Sequence, residues 1–185
     1  TIDAMLEVNS YHLRLQGEDS AAIIDEQLEA LRGLAGVRAV VQFSETETMV
    51  RGATETSTGA VVRALPDDAL ERDAGLRENL RRVEGTLDLG EPGTIILGSQ
   101  LRRRLGVRIG NTVTLLTLGA GSREDRSGRI RRVPREVELD VVGTVRTGFY
   151  EYDAGWAFVS SETAEQTFGV AEEDRVTGVK LDDRF

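Results

Sequence analysis

The chain has 185 residues, of which 39% are hydrophobic, 30% charged and 5% aromatic, and this composition is typical of a globular domain rather than of a disordered chain. Its 32 acidic and 23 basic residues give a formal net charge of -9, which disfavours nonspecific nucleic-acid binding because that binding depends on Lys and Arg contacts to phosphates. The absence of Cys excludes disulfides and thiol catalysis, and the single histidine, His12, excludes a two-histidine metal site. We expect one domain or two small ones, with no cofactor and no metal.

The N-terminal third is predicted to be β-α-β. Alternation of polar and apolar residues over 11–15 indicates a strand, and residues 37–43 read as the next strand. Between them, one apolar stripe at helical spacing predicts a helix that Gly36 ends. The stripe consists of Ile24, Leu28, Leu31 and Leu34.

The middle of the chain is predicted to be rich in β-structure. Residues 46–51 and 60–65 are read as two strands joined by a polar loop. The acidic stretch 67–91 has weak helical periodicity and is interpreted as a short helix and a solvated loop. Residues 94–97 predict a short buried strand, and residues 99–105 predict a short helix.

A long hairpin is predicted where two alternating segments, 112–118 and 137–145, flank a polar excursion. Six arginines lie in a span of thirteen residues in this part of the chain, which contains only two acidic residues, Glu124 and Asp125. The span therefore has a net charge of +4, although the chain as a whole is acidic. One interpretation is a solvated tip whose charge protects a strand edge from pairing. The other is a docking element that attracts an acidic partner through complementary charge.

The C-terminal part repeats the β-α-β pattern. Residues 157–159 and 176–181 predict strands, and Ser160 or Ser161 is suited to cap a helix over 162–168. Because each end of the chain offers too little core to be stable alone, we expect both ends to share one sheet with the helices on one face. We expect residues 46–146 to form a separate β-rich lobe.

Catalytic motifs are missing from the sequence. Gly119, Gly121 and Gly128 faintly resemble a phosphate loop, but the G-K-[ST] ending of that loop is absent. Glu151 and Asp153 would point the same way on extended backbone, and we interpret them as turn-capping or ion-pairing residues. His12 is interpreted as a structural residue. No nucleophile lies beside a base, so we predict no enzymatic activity, and no apolar run approaches the ~20 residues that span a bilayer.

Two stretches of the sequence carry a family resemblance. The first contains TIILGSQL at 94–101, RLGV at 104–107 and IGNTVTL at 109–115. The second contains VVGTV at 141–145, TGFYEYD at 147–153, WAFVS at 156–160 and VTG at 176–178, and LRGLAGV at 31–37 adds an N-terminal match. Together they resemble the periplasmic core domain of lipoprotein-releasing ABC transporter permeases, the Lol system C/E type, within the MacB-like and FtsX-like permease group.

The resemblance implies an α+β fold with two parts. Residues 1–45 and 147–185 would form a porter-like βαβ subdomain, and residues 46–146 would form an inserted β-rich subdomain with a protruding hairpin at 117–134. The domain would face the periplasm from the inner membrane, anchored by flanking transmembrane helices that lie outside this chain. Its partners would be a second permease subunit, homologous or identical, and separate cytoplasmic ATPase subunits that hydrolyse ATP.

The resemblance also implies a function. The permease would release lipoproteins from the inner membrane and hand them to a soluble periplasmic carrier, which docks on the hairpin in one permease type. The alternative is a mechanotransmission domain of a MacB-like or FtsX-like permease that binds a periplasmic adaptor or regulator. The sequence leaves open the carrier-docking, lipoprotein-entry and self-pairing types of permease. The predicted partner-binding residues are Arg123, Arg126, Arg129, Ile130, Arg131, Arg132 and Pro134.

Overall fold

The computed structural model describes residues 11–15, 25–53, 56–117, 122–124, 130–132, 135–169 and 175–182. The helices are α1 (Asp25–Arg32), α2 (Ala69–Arg72), α3 (Ala74–Asn79), α4 (Ser99–Leu105), α5 (Tyr150–Gly155) and α6 (Ser161–Phe168). The strands are β1 (Leu13–Leu15), β2 (Val37–Arg51), β3 (Ser57–Leu65), β4 (Arg81–Gly85), β5 (Thr94–Gly98), β6 (Thr112–Thr117), β7 (Ser122–Glu124), β8 (Ile130–Arg132), β9 (Arg135–Arg146), β10 (Trp156–Ser160) and β11 (Val176–Leu181). Within these ranges, no helix is long and apolar enough to cross a membrane.

Nine of the strands form one sheet, in the order β1-β11-β2-β3-β10-β5-β9-β4, with β6 paired to both β2 and β9. These last two pairings close a ring, because β2, β3, β10, β5, β9 and β6 each pair with two other members. Closure removes the free edges of all six strands. The remaining strands β1, β11 and β4 extend the sheet beyond the ring.

One face of the ring strands points inward and is filled by small and aliphatic side chains. The registers place Val50 opposite Leu115, Val62 opposite Ala157 and Ile95 opposite Val141, so one set of alternating positions lines the interior. All of these side chains are buried in a single core cluster. Leu101 and Leu105 of α4, together with Ala164 and Phe168 of α6, join the same cluster. The ring is therefore a packed core and not a channel.

The long strand β2 pairs with different strands along its two halves. Its first half pairs with β11, and its second half pairs with β3 and β6. On the first half, Leu28 of α1 packs against Val40 and Val179 in a separate small core. We predicted two strands at 37–43 and 46–51, and this prediction is wrong because the two segments form one continuous strand.

The helix predictions need three corrections. Helix α1 ends at Arg32, so Leu34 lies outside the helix and is 56% exposed instead of lying on the apolar stripe. The stretch 67–91 holds two short helices and the strand β4. Residues 150–155 form the helix α5, so Glu151 and Asp153 are not on extended backbone. The predicted cap of α6 is confirmed, since the Ser160 hydroxyl accepts from the Thr163 amide at 3.0 Å.

The predicted fold class is confirmed as a mixed α+β domain with a large sheet and several helices. The hydrogen bonding differs from the expected pattern at β10, which pairs with β3 and β5 of the segment 46–146. Strands β2 and β3 separate β10 from β11, and β2 runs unbroken through residues 45 and 46. The sheet is therefore continuous across the predicted limits of the insert, and the division into subdomains stays a prediction.

Candidate functional site: a groove at the base of the arginine-rich hairpin

The hairpin predicted from sequence has a firm base. Strands β6 and β9 pair antiparallel from Thr112–Asp140 to Thr117–Arg135, as the alternation predicted. Near the hairpin end of this ladder, Leu116 pairs with Glu136. The Leu116 carbonyl accepts a hydrogen bond from the Thr48 hydroxyl at 2.6 Å. The hairpin base is thus held to β2 as well as to its own two strands, and the arginine-rich segment leaves the ring from a fixed position.

The predicted partner-binding residues lie beyond this base. Strands β7 and β8 form a separate two-stranded sheet in which Ser122 pairs with Arg132, Arg123 with Arg131 and Glu124 with Ile130. Four predicted residues are therefore on this small ribbon, with two arginines directly opposite one another. Arg126, Arg129 and Pro134 lie outside the described residues, as do the glycines of the weak phosphate-loop pattern.

An apolar groove lies on the outer face of the ring beside the hairpin base. The sheet register brings its side chains together, because Leu116 pairs with Met49 and Val61 pairs with Trp156 on adjacent strands. Glu47 pairs with Val61 on the same face and stands at the rim. We call this surface the outer groove, with a volume of about 520 Å³, and define it by Met49, Val61, Leu116, Trp156, Glu47 and Glu151.

Two apolar side chains of the outer groove are exposed. Met49 is 44% exposed and Leu116 is 39% exposed, and these two side chains come from neighbouring strands. Gly59 lies opposite Met49 on β3, and a Cβ added there would meet no atom within 4 Å. Adjacent exposed apolar side chains beside the acidic Glu47 and Glu151 make the outer groove a candidate contact surface.

A buried arginine supports one wall of the groove. The Arg63 Cζ atom lies 4.3 Å from the centroid of the Trp156 ring and 4.8 Å from that of Phe43. Its Nε donates to Glu45 Oε1 at 2.9 Å, and a second nitrogen also donates to this carboxylate. Burial lowers the pKa of Arg63 below its ordinary value, and Glu45 offsets part of this effect. Arg63 thereby holds Trp156 in a fixed orientation at the groove.

A second buried charge pair ties the chain ends to α3. Lys180 Nζ lies 2.6 Å from Asp73 Oδ2, with the two side chains 2% and 1% exposed. Asp73 Oδ1 also accepts from the Leu76 amide at the start of α3. The Tyr11 ring lies 5.2 Å from Lys180 Nζ. Burial raises the pKa of the Tyr11 hydroxyl above its ordinary 10.0, and the Asp73 carboxylate raises it further.

The other polar residues singled out from the sequence have structural partners. The His12 ring accepts through Nδ1 from the Leu181 amide at 2.7 Å, which fits the structural role predicted for it. Asp153 Oδ1 accepts from both the amide and the hydroxyl of Thr147, at 2.7 and 2.9 Å, and so caps the turn before α5. Glu151 lies at the rim of the outer groove. No cluster of three or more metal-ligating side chains occurs in the part of the chain that is described.

Sequence reasoning missed the outer groove because its members are far apart along the chain. Met49, Leu116 and Trp156 meet only after the ring closes through the β2–β6 and β3–β10 pairings. One signal was present in the sequence, since Met49 falls on the outward-facing register of a strand whose next residue, Val50, lies in the core. An apolar residue in an outward register marks a candidate contact surface.

Comparisons with known proteins bear on the fold. No family model matches the sequence, and no curated protein matches it. Solved structures do match, among them the extracellular domain of the noncanonic ABC-type transporter YknZ from Gram-positive bacteria, with a TM-score of 0.56 and 14% identity over 93% of this chain and 82% of that chain. The periplasmic region of MacB from Actinobacillus actinomycetemcomitans matches with a TM-score of 0.54 and 13% identity over 96% of this chain and 70% of that chain.

A domain of a putative permease protein from Porphyromonas gingivalis also matches, with a TM-score of 0.51 and 12% identity over 85% of this chain and 68% of that chain. All three similarities extend over most of both chains, so they concern the whole architecture and not a single motif. The chain therefore has the fold of extracellular and periplasmic domains of ABC-type transporter permeases.

Proposed function

We propose that this chain is the extracytoplasmic domain of an ABC transporter permease that releases lipoproteins from the inner membrane and hands them to a soluble periplasmic carrier. The fold similarity to transporter domains supports the general class. The observation that carries the docking role is the outer groove beside the arginine-rich hairpin, since it offers apolar contact area next to a segment of opposite charge to the chain. In this proposal the domain faces the periplasm and has no catalytic activity of its own.

Stability does not account for the composition of the hairpin. Arg123 and Arg131 occupy directly opposite positions of the β7–β8 ribbon, and like charges in opposite positions weaken strand pairing. An isolated two-stranded ribbon is at best marginally stable in water. Arginine in these positions is instead suited to steer an acidic partner, because long-range attraction raises the rate of encounter.

The two surfaces have different roles in the proposed complex. The arginines of the hairpin would attract the acidic rim of the carrier, and the outer groove would bury an apolar side chain of the carrier after contact. Attraction affects mainly the association rate and weakens as salt shortens the Debye length from ~10 Å at 0.1 M to ~3 Å at 1 M. Buried apolar contact affects mainly the dissociation rate and is not screened by salt.

The test is titration of the purified domain with its cognate carrier while the association and dissociation rates are recorded. Changing Arg126, Arg129 and Arg131 to Ser should slow association at low salt and have little effect at high salt. Leu116→Ser should raise the dissociation rate, whereas Leu34→Ser removes a more exposed leucine elsewhere and should change neither rate. Equal affinity of wild type and a variant lacking residues 121–131 would reject docking on the hairpin.

The remaining parts of the proposal concern the assembly. A second permease subunit, homologous or identical, and cytoplasmic ATPase subunits would complete the transporter, and transmembrane helices outside this chain would anchor it. Residues 1–45 and 147–185 would form the porter-like subdomain, and residues 46–146 would form the inserted β-rich subdomain. The domain carries no ATP site in this proposal, so ATP turnover by the purified domain would contradict it.

A second candidate is a mechanotransmission domain that binds a periplasmic adaptor or regulator. The observation that favours it is the similarity of fold to the periplasmic region of MacB and to the extracellular domain of YknZ. The two candidates differ in what they bind. Capture of the lipoprotein carrier by the outer groove supports the first, and binding of an adaptor by the same purified domain, without carrier binding, supports the second.

A further inference from the structure

A second cavity lies away from the hairpin, on the opposite half of β2. It has a volume of about 460 Å³ and is walled by helices α1, α2 and α6 over a floor of β2 residues. Three arginines from three different elements line it, Arg32 on α1, Arg72 on α2 and Arg175 just before β11. We call it the arginine cavity and define it by these three residues.

Each of these arginines forms an ion pair with a neighbouring acidic residue. Arg32 pairs with Glu29, and Arg72 pairs with Asp68. Arg175 pairs with Glu165 of α6. All three acidic residues also line the cavity, so the local formal charge is balanced.

The arginine is the less exposed partner in every pair. Exposures of the arginine and carboxylate side chains are 24% and 69% for Arg32–Glu29, and 30% and 46% for Arg175–Glu165. For Arg72–Asp68 the values are 36% and 40%. The arginine side chains are thus more enclosed than their acidic partners, clearly for Arg32 and Arg175 and only slightly for Arg72.

This asymmetry makes the carboxylates replaceable. Solvent-exposed ion pairs contribute only about 0–1 kcal/mol, so moving a carboxylate into water costs little. Two of the pairs join residues three or four positions apart, Glu29 and Arg32 on α1 and Asp68 just before α2 with Arg72, and the acidic side chain can rotate away without moving the backbone. A ligand that brings its own anionic group can therefore take the place of these carboxylates.

The chemistry of the walls selects the kind of anion. Guanidinium groups bind phosphate through paired hydrogen bonds in a fixed planar geometry. Three arginines, each from a different part of the fold, line this cavity. On the floor, Gln42 and Ser44 offer polar side chains, whereas Val41 and Phe43 are buried in the core at 0% and 1% exposure. The half-buried Pro66 adds an apolar edge, which suits a ligand with a small organic part beside its charged group. The volume lies in the range of small-molecule sites.

We propose that the arginine cavity binds a phosphate ester, either as a free small molecule or as the headgroup of an anionic lipid. Arg32, Arg72 and Arg175 contact the phosphate oxygens, and Glu29, Asp68 and Glu165 swing outward when the ester enters. This site is independent of the outer groove, because no residue lines both cavities.

The test measures binding of three probes to the full chain. Calorimetric titration is carried out with inorganic phosphate and with glycerol 3-phosphate, and cosedimentation with vesicles of phosphatidylcholine with and without phosphatidylglycerol. We expect saturable binding of at least one probe, weakened about tenfold by Arg72→Gln, since one charge-assisted hydrogen bond is worth that much. Binding of the soluble probes alone identifies a free ester, and binding of phosphatidylglycerol vesicles alone identifies a lipid headgroup.

Matched variants separate a site from a general charge effect. Arg51→Gln removes a guanidinium from the Arg51–Glu136 pair outside the cavity and should leave affinity unchanged. Glu29→Gln should tighten binding because it frees Arg32, whereas Glu136→Gln makes the same change of charge elsewhere and should not. If circular dichroism shows that Arg72→Gln is unfolded, the difference in probe affinity between Glu29→Gln and Glu136→Gln tests the site instead. The proposal is overturned if no probe binds saturably, or if the variants inside and outside the cavity respond alike.

Discussion

The buried pair of Lys180 and Asp73 provides a sharp test of what holds the end of the chain to the sheet. The pair is almost completely removed from solvent, and the two charged atoms are 2.6 Å apart. Lys180→Met keeps most of the volume of the side chain but removes the positive charge. It leaves the Asp73 carboxylate buried with the Leu76 amide as its hydrogen-bond donor.

Breaking a buried ion pair on one side typically costs about 3–5 kcal/mol, because the remaining charge stays in a poorly solvated site. Domains unfold with a total free energy of about 5–15 kcal/mol, so this loss is a large share of the whole. At a urea dependence of about 2–3 kcal/mol/M, the midpoint of unfolding of Lys180→Met should fall by about 1–2 M.

The assay is equilibrium unfolding in urea, followed by circular dichroism and by the fluorescence of the single tryptophan. Arg51→Met is the matched control, since its pair with Glu136 is exposed and should contribute about 0–1 kcal/mol. Asp73→Asn removes the negative charge and keeps an oxygen that can accept from the Leu76 amide at the start of α3. In the double variant with Lys180→Met no unpaired charge stays buried. Its loss in free energy of unfolding should therefore be smaller than the sum of the losses of the two single variants. Equal midpoints for Lys180→Met and Arg51→Met would refute the reasoning.

Three further predictions test other contacts. Gly178→Ala should destabilise the domain by about 1–3 kcal/mol in urea unfolding because its Cβ would lie 2.4 Å from the Tyr11 ring, whereas Gly59→Ala, with open space at its Cβ, should leave the midpoint nearly unchanged. Leu28→Ala should cost about 2–5 kcal/mol, and the exposed Glu26→Ala should stay within about 0.5; similar midpoints for these two would show that the α1 core is misassigned. Because the pKa of Tyr11 is raised in the folded state, stability should fall as pH rises above the ordinary value of 10.0, where only the unfolded chain loses the proton, and Tyr11→Phe should flatten this decline in alkaline unfolding curves.

Local signals in the sequence were sufficient for most single elements. The helix α4 was predicted with its observed limits, since Leu101 and Leu105 fall on one face and Gly106 follows in a left-handed conformation. The alternation around Val113 and Leu139 predicted the paired strands β6 and β9. In these segments, the apolar residues whose spacing predicts the element are the same residues that are buried in the core.

Predictions failed where tertiary contacts override the local pattern. The predicted strands cover 37–43 and 46–51 and omit Ser44 and Glu45, but both residues lie inside β2, where Ser44 is buried and Glu45 pairs with buried Arg63. The place of β10 between β3 and β5 follows from long-range pairing that no local pattern encodes. For the same reason the candidate site was recognised as a charged hairpin but not as a groove, because Trp156 reaches Val61 only through that pairing.

The insertion of β10 between β3 and β5 has a consequence for how the protein is made. A chain emerging from the ribosome completes β2, β3, β5, β6 and β9 first, and Val62 then pairs with β2 while Ile96 pairs with β9. The other side of each strand has no partner until Ala157 and Phe158 appear. Until then two apolar strand edges stay open, and open edges are sites of pairing with other chains. Nascent chains stalled before Trp156 should therefore bind holdase chaperones, and release should coincide with synthesis of β10.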